Sequence, residues 1–199
     1  MAAAIANQRD SAQGEVAISS LNNNEVIVAL LQTVNHLSRW LTPVHEWRLL
    51  EYSTRRAQPS VKDVLLRMRQ TETWVYGYLY AMAAQSNPDL DLLEEPSPAP
   101  MQEEADRRAG PLVVMSEFRR LRQSSVSLLR ALPDNAWDRD GYSRRSRNWT
   151  IRQLAEYLVE RDRDHLREID AILAQSGARD GIAPVSRVRF DEIDDPFPA

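Results

Sequence analysis

Apolar residues recur along this chain at intervals of three and four, in four long stretches separated by prolines and capping residues. Asn22 to Asn24 offer N-caps ahead of a first helix, whose stripe is Val26, Ile27, Leu30, Leu31, Val34, Leu37 and Leu41, and Pro43 ends it. The connection from Val44 to Pro59 allows a short helical turn, with Trp47, Leu49 and Leu50 as plugs for the core. Ser60, answered by Asp63 in a capping-box pattern, opens a second helix carrying Val61, Val64, Leu65, Met68, Val75, Leu79 and Met82 as far as about Ala84. Pro111 suits the first turn of a third helix, with Val114, Phe118, Leu121, Leu128 and Leu132 on one face. Thr150 and Gln153 form another capping box and open a fourth, which runs to about Gln175 before Gly177.

Between the second and third helices lies SNPDLDLLEEPSPAPMQEEADRRAGP, acidic and proline-rich, which predicts an extended or mobile crossover. Pro133 and Gly141 bracket a loop that holds Trp137. After Gly177 only a short alternating piece, Val185–Phe190, interrupts a polar tail. The elements predict an all-α protein, a four-helix bundle with a long proline-rich crossover and flexible termini. Residues 1–20 read as a disordered tail, 21–176 as the bundle, and 177–199 as an extended C-terminal tail. PSVKDVLLR at 59–67 echoes WTIRQLAEY at 149–157, which suggests two similar helical hairpins.

Composition narrows the function. An apolar fraction of 43% supplies one sizeable core, and no apolar run is long enough to span a bilayer. The start MAAAIANQRD lacks a secretory pattern, and a cytoplasmic protein is the expectation. Without cysteine there is no disulfide framework, thiolate nucleophile or sulfur metal site. The formal charge of −4 argues against nucleic-acid binding through phosphates. Lys62 is the only lysine, so the positive charges are almost all arginine, whose fork suits carboxylates and phosphates.

The most informative chemistry lies in the fourth helix. Ile151, Leu154, Leu158 and Ile172 set its buried seam, and Arg161 and His165 continue the same spacing one turn apart. A guanidinium and an imidazole on a seam must be paired, solvated in a cleft, or bound to something. His36 sits beside the first stripe, and Pro43 separates it from His45, so these histidines read as boundary or surface residues. Trp74 and Tyr78 lie on the same side of the second helix as Arg67, either walling a ligand pocket or filling the core. Arg144, Arg145 and Arg147 read as a solvated loop, balanced by the acidic stretch Asp191–Asp195. Glu156, Glu160 and Asp164, interleaved with Arg152, Arg163 and Arg167, read as an ion-paired solvent face. No Gly-x-Ser-x-Gly turn and no glycine-rich phosphate loop is present.

The stretch Pro59–Glu72, PSVKDVLLRMRQTE, and the run Thr150-Ile151-Arg152-Gln153-Leu154 leading to Arg161, His165 and Ile169 resemble the second and fourth helices of the DinB-like superfamily. That superfamily comprises four-helix bundles, among them the YfiT-like metal-dependent hydrolases and several low-molecular-weight-thiol-dependent transferases. The likeness runs from about Glu25 to Leu173 in helix order and length. It implies a metal triad at the positions of Arg67, Arg161 and His165, of which only His165 is a ligand type. Arginine cannot deprotonate to bind a divalent ion, so the expectation is a degenerate site with no cofactor and no metal. The resemblance also implies a homodimer.

Four readings of this triad stay open. Arg67 and Arg161 could grip a small anionic ligand, making the protein a binding or structural module; or each pairs with a nearby acid such as Glu72, Glu160 or Asp164 and fills a dead site. An enzymatic version has a thiol-dependent transferase or hydrolase in which Arg67 and Arg161 hold the substrate while His165 acts as general base. A metal enzyme with another ligand set is the remaining option.

Overall fold

The structure, a computed structural model, describes residues 17–53, 58–93, 100–180 and 182–190. Its helices are α1 (Asn23–Leu41), α2 (Arg48–Glu51), α3 (Val61–Ala84), α4 (Pro100–Arg108), α5 (Pro111–Ala131) and α6 (Ile151–Ser176). The four long ones, α1, α3, α5 and α6, stand where the apolar periodicity predicts them. Capping boxes open three of them, at Asn22 with Glu25, Ser60 with Asp63, and Thr150 with Gln153. Pro111 occupies the first turn of α5, and Gly177 ends α6 with a left-handed φ of 70°.

Contacts between side chains fix the topology. Thr33 reaches Asp162 and Asn23 reaches Arg152, both pairs 129 residues apart, so α1 and α6 run parallel and in register. Arg67 meets Glu168 while Trp74 meets Tyr157, so α3 runs against α6. Arg69 pairs with Glu117 and Glu72 with Arg122, so α3 and α5 are parallel. Around the bundle the order is α1, α6, α3, α5, each touching the next and the last closing on the first. Two consecutive parallel helices need a connection that returns along the length of α3, about 36 Å at 1.5 Å per residue. That geometric need explains the long crossover.

The interior has two apolar halves. One gathers Ile27, Leu30, Val75, Leu79, Val126, Leu154 and Leu158; the other gathers Leu37, Leu41, Leu65, Met68, Phe118, Ile169 and Leu173. Between them every long helix places one polar residue inward: Thr33, Glu72, Arg122 and Asp162, all buried. Arg122 Nη1 and Nη2 donate to Asp162 at 2.5 and 3.1 Å, Nε donates to Glu72 at 2.9 Å, and Nη1 also reaches the Leu30 carbonyl at 3.1 Å. Thr33 adds a hydroxyl donor to Asp162 at 2.8 Å, so one layer ties all four helices.

Several expectations need correction. The crossover is not simply extended, because the 3-10 turn Leu90–Leu92 and helix α4 lie within it. Residues 1–16 and 191–199 lie outside the described residues, but the adjoining ends are built onto the bundle. Ile18–Ser20 forms a 3-10 turn, and Leu21 behind it is buried. Beyond Gly177, Arg179 and Arg189 both pair with buried Asp170, at 2.5 and 2.7 Å, and Phe190 packs beneath Arg167. Where the alternating piece Val185–Phe190 begins, a 3-10 turn spans Pro184–Ser186.

The inward face of α5 is Val114, Phe118, Arg122, Ser125, Val126 and Leu129; it keeps Val114 and Phe118 of the predicted stripe but turns by one position beyond them, so Leu121, Leu128 and Leu132 sit at its edge. Leu50 is a buried plug, but Trp47 is 48% exposed. Trp137 enters the core ahead of a two-residue ladder, Asp140–Gly141 against Trp149–Thr150, which was not anticipated. Among the described residues no helix is long and apolar enough to cross a membrane.

Candidate functional site

The antiparallel seam between α3 and α6 brings together the three positions singled out above. Arg67, midway along the first half of α3, donates from Nη2 to Glu168 Oε2 across the seam at 2.7 Å. Glu168 follows His165 by one turn of α6, so this bridge closes one side of the imidazole. His165 is only 3% exposed. Its pKa is lowered to about 4, first by burial, then by the positive charges of Arg161 and of Arg67, against a weaker pull from Glu168 and Asp164. The imidazole is therefore neutral at pH 7, and both guanidiniums lie close enough to hold it so.

Arg161 corrects the periodicity argument in part. The seam position is taken by Asp162, which points into the buried layer, while Arg161 sits on the flank with its side chain 44% exposed. Helical spacing alone cannot separate neighbours that differ by 100° of rotation when both are charged. Arg161 Nη1 is 3.7 Å from Asp164 Oδ2, too long for a hydrogen bond. Its Nε is buried without an acceptor, and His165 Nδ1, one turn further along, is buried without a partner too. Glu72, a candidate partner for the seam arginines, belongs instead to Arg122.

One imidazole and two permanently charged guanidiniums do not fit a divalent cation, which takes three or four neutral or anionic donors. Among the described residues no group of three or more histidine, cysteine, aspartate and glutamate side chains is placed to hold a metal ion. His36 packs against Trp40 at a ring separation of 5.9 Å, and burial, then Arg39, lowers its pKa. His45 is exposed on the connection after α1.

Trp74 and Tyr78 touch edge to face at 5.2 Å, and the contact continues to Tyr157 at 5.7 Å from Trp74 and to Trp149 at 5.6 Å from Tyr157. Tyr78 is buried in the core. Trp74 is half-buried and stands at the end of the seam, where Tyr157 precedes Arg161 by one turn. The sequence reading missed Tyr157 and Trp149, which complete this wall. Arg144, Arg145 and Arg147 are exposed, and the Arg147 guanidinium lies 3.6 Å over the Trp149 ring. The acids 191–195 proposed to balance them lie outside the described residues.

The buried layer was also missed as a unit. Its signal was present: each stripe skips an apolar residue at mid-height, at Thr33, Glu72, Arg122 and Asp162. Burial pulls the Arg122 pKa down, but Asp162 and then Glu72 outweigh it and push the value above the ordinary one. The residue stays charged inside the bundle, with the Phe118 ring 4.9 Å from its guanidinium carbon.

Helix order, the parallel pair α3 and α5 and the antiparallel seam between α3 and α6 set the topology of this four-helix bundle. The fold is shared with YfiT from Bacillus subtilis, described as a probable metal-dependent hydrolase with an unusual four-helix bundle topology. The TM-score is 0.64 at 16% identity, over 82% of this chain and 94% of that one. A mutant of the mycothiol-dependent maleylpyruvate isomerase superposes with a TM-score of 0.54 at 14% identity, over 86% of this chain and 69% of the other. At these identities the likeness is one of fold. No protein-family model and no curated protein matches the chain.

Proposed function

We propose that this bundle is a metal-free binding module in which the seam between α3 and α6 takes a small anion, at the triad positions that the DinB-like resemblance implies. The observation that carries the reading is the pair of buried, unpartnered nitrogens, Arg161 Nε and His165 Nδ1, one turn apart beside the Arg67 guanidinium. A buried guanidinium N–H without an acceptor is costly, and an oxyanion supplies one to Arg161 Nε, and to His165 Nδ1 in the tautomer that carries the proton there, while neutralising local positive charge. Trp74 and Tyr157 would flank the ligand at the far end of the seam. The same reading has the bundle working as a homodimer.

Catalysis by His165 as general base is the competing reading, and the fold shared with a probable metal-dependent hydrolase and a mycothiol-dependent isomerase is what recommends it. A base works best with a pKa near the operating pH, and a value of about 4 makes this imidazole a weak proton acceptor at pH 7. That favours binding over proton abstraction.

The test is a thermal-shift panel of small carboxylates and phosphates on untagged protein, beside elemental analysis. A ligand at 100 times its dissociation constant adds about 2.7 kcal/mol, or roughly 5–10 °C for a domain of this size. Arg161→Ala should remove the shift and leave the fold intact. Stoichiometric zinc, nickel or iron, or a panel without any shift, would sink the proposal. A monomer mass by light scattering would remove the dimer from it.

A further inference from the structure

Helix α4 is held on the bundle in an unusual way. None of the described side chains at 101–108 is buried, and Met101 is 84% exposed, so apolar packing by these residues does not anchor it. Its attachment is polar. Asp106 accepts from both Nη atoms of Arg69, at 2.8 and 2.5 Å, and the Arg107 carbonyl accepts from Lys62 Nζ at 3.0 Å. Both cations project from α3 and are largely buried, seven residues apart on one face. The hydrogen bonds from Arg69 raise its own pKa and hold the Asp106 carboxyl below the usual range.

Each cation also has an acid on the bundle itself. Arg69 Nη1 reaches Glu117 on α5 at 2.6 Å, and Lys62 reaches Glu51 on α2 at 3.3 Å. Lifting α4 therefore strands no buried charge, because Glu117 and Glu51 stay behind as partners. Even with α4 seated, a groove of about 940 Å³ remains beside it, with Leu66 and Leu121 among its lining residues. The strap lines one side of this groove without filling it.

We propose that Lys62 and Arg69 form a receptor for an acidic helical segment of a partner protein, which α4 occupies in cis as a releasable strap. The recognised feature is a side-chain carboxylate on the Arg69 fork followed by a main-chain carbonyl on Lys62, the pattern a peptide offers and a free carboxylate does not. A tethered helix competes at high effective concentration, so the incoming segment needs contacts that α4 lacks. An apolar residue reaching Leu66 and Leu121 supplies them. This receptor faces α5, away from the Arg67–Arg161–His165 seam, and does not depend on the function proposed for that seam.

The test uses the full chain and a labelled, end-blocked peptide with the sequence of residues 100–110, read by fluorescence anisotropy at low salt. Asp106→Ala should bind it at least tenfold more tightly than the unaltered chain, because the strap no longer competes. The same peptide carrying Asp106→Asn should lose at least tenfold, and adding Arg69→Gln to the Asp106→Ala chain should abolish binding. Equal affinity of the two chains or of the two peptides overturns the proposal. Should Arg69→Gln fail to fold, Glu117→Gln in the Asp106→Ala chain replaces it. Removing that competing acid should tighten binding, and no change or a loss counts against the receptor. Trypsin supplies a second readout: cleavage after Arg107 and Arg108 should accelerate severalfold in Asp106→Ala, and an unchanged rate refutes the clasp. Arg161→Ala should leave peptide binding as it is.

Discussion

Replacing Arg122 by methionine tests the central layer. Methionine is close in volume but carries no charge, so Arg122→Met removes four hydrogen bonds and leaves Glu72 and Asp162 facing each other in a dry interior. Breaking a buried ion pair from one side costs about 3–5 kcal/mol, mostly through the unpaired charge that stays behind. For a domain of this size that lowers Tm by on the order of 10 °C. The opposite outcome is expected when the whole layer is made apolar, with Arg122→Met, Glu72→Met, Asp162→Leu and Thr33→Val together. That variant should come within about 1 kcal/mol of the parent, or exceed it, because the desolvation cost of three charges disappears with the charges. Urea unfolding at pH 7, with the slope compared across variants, measures both. If Arg122→Met costs less than about 1 kcal/mol, the guanidinium is not a paired charge inside the bundle and the layer described above is wrong.

Two further outcomes follow from particular contacts. His165 has a folded pKa of about 4 against an ordinary value of 6.5, so the unfolded chain takes up a proton that the folded one refuses. Its contribution to stability is complete above pH 6.5 and is lost as the pH falls towards 4, by about 3 kcal/mol. His36, also lowered, acts in the same direction; His165→Leu should flatten the slope of stability between pH 6.5 and 4, and an unchanged slope would show that the imidazole is not buried beside two arginines. Gly141→Ala would set a Cβ 2.8 Å from the Leu90 side chain, which is fully buried and would have to shift into a packed interior. A loss of about 1–3 kcal/mol in urea unfolding is expected, and a neutral result would mean the ladder beside Leu90 is looser than it looks.

The sequence by itself determined the helices. Caps, prolines and the three-four spacing are local signals, read within one turn, and the boundaries of α1, α3, α5 and α6 agree with them closely. The resemblance carried by Pro59–Glu72 and Thr150–Ile169 led to the fold shared with YfiT, and it led to Arg67, Arg161 and His165, which the antiparallel seam brings together. What remained illegible is what depends on rotation and on partners from elsewhere in the chain. A charged residue on a stripe looks the same whether it is exposed or paired in the interior, so Arg122 and Asp162 could not be told from surface charges, nor Arg161 from a core residue. Their places were decided by acids and bases 40 to 50 residues apart meeting at one height of the bundle. For the same reason the crossover looked unstructured. The strength of α4 lies in Arg69 and Lys62 on another helix, and nothing within its own nine residues announces them.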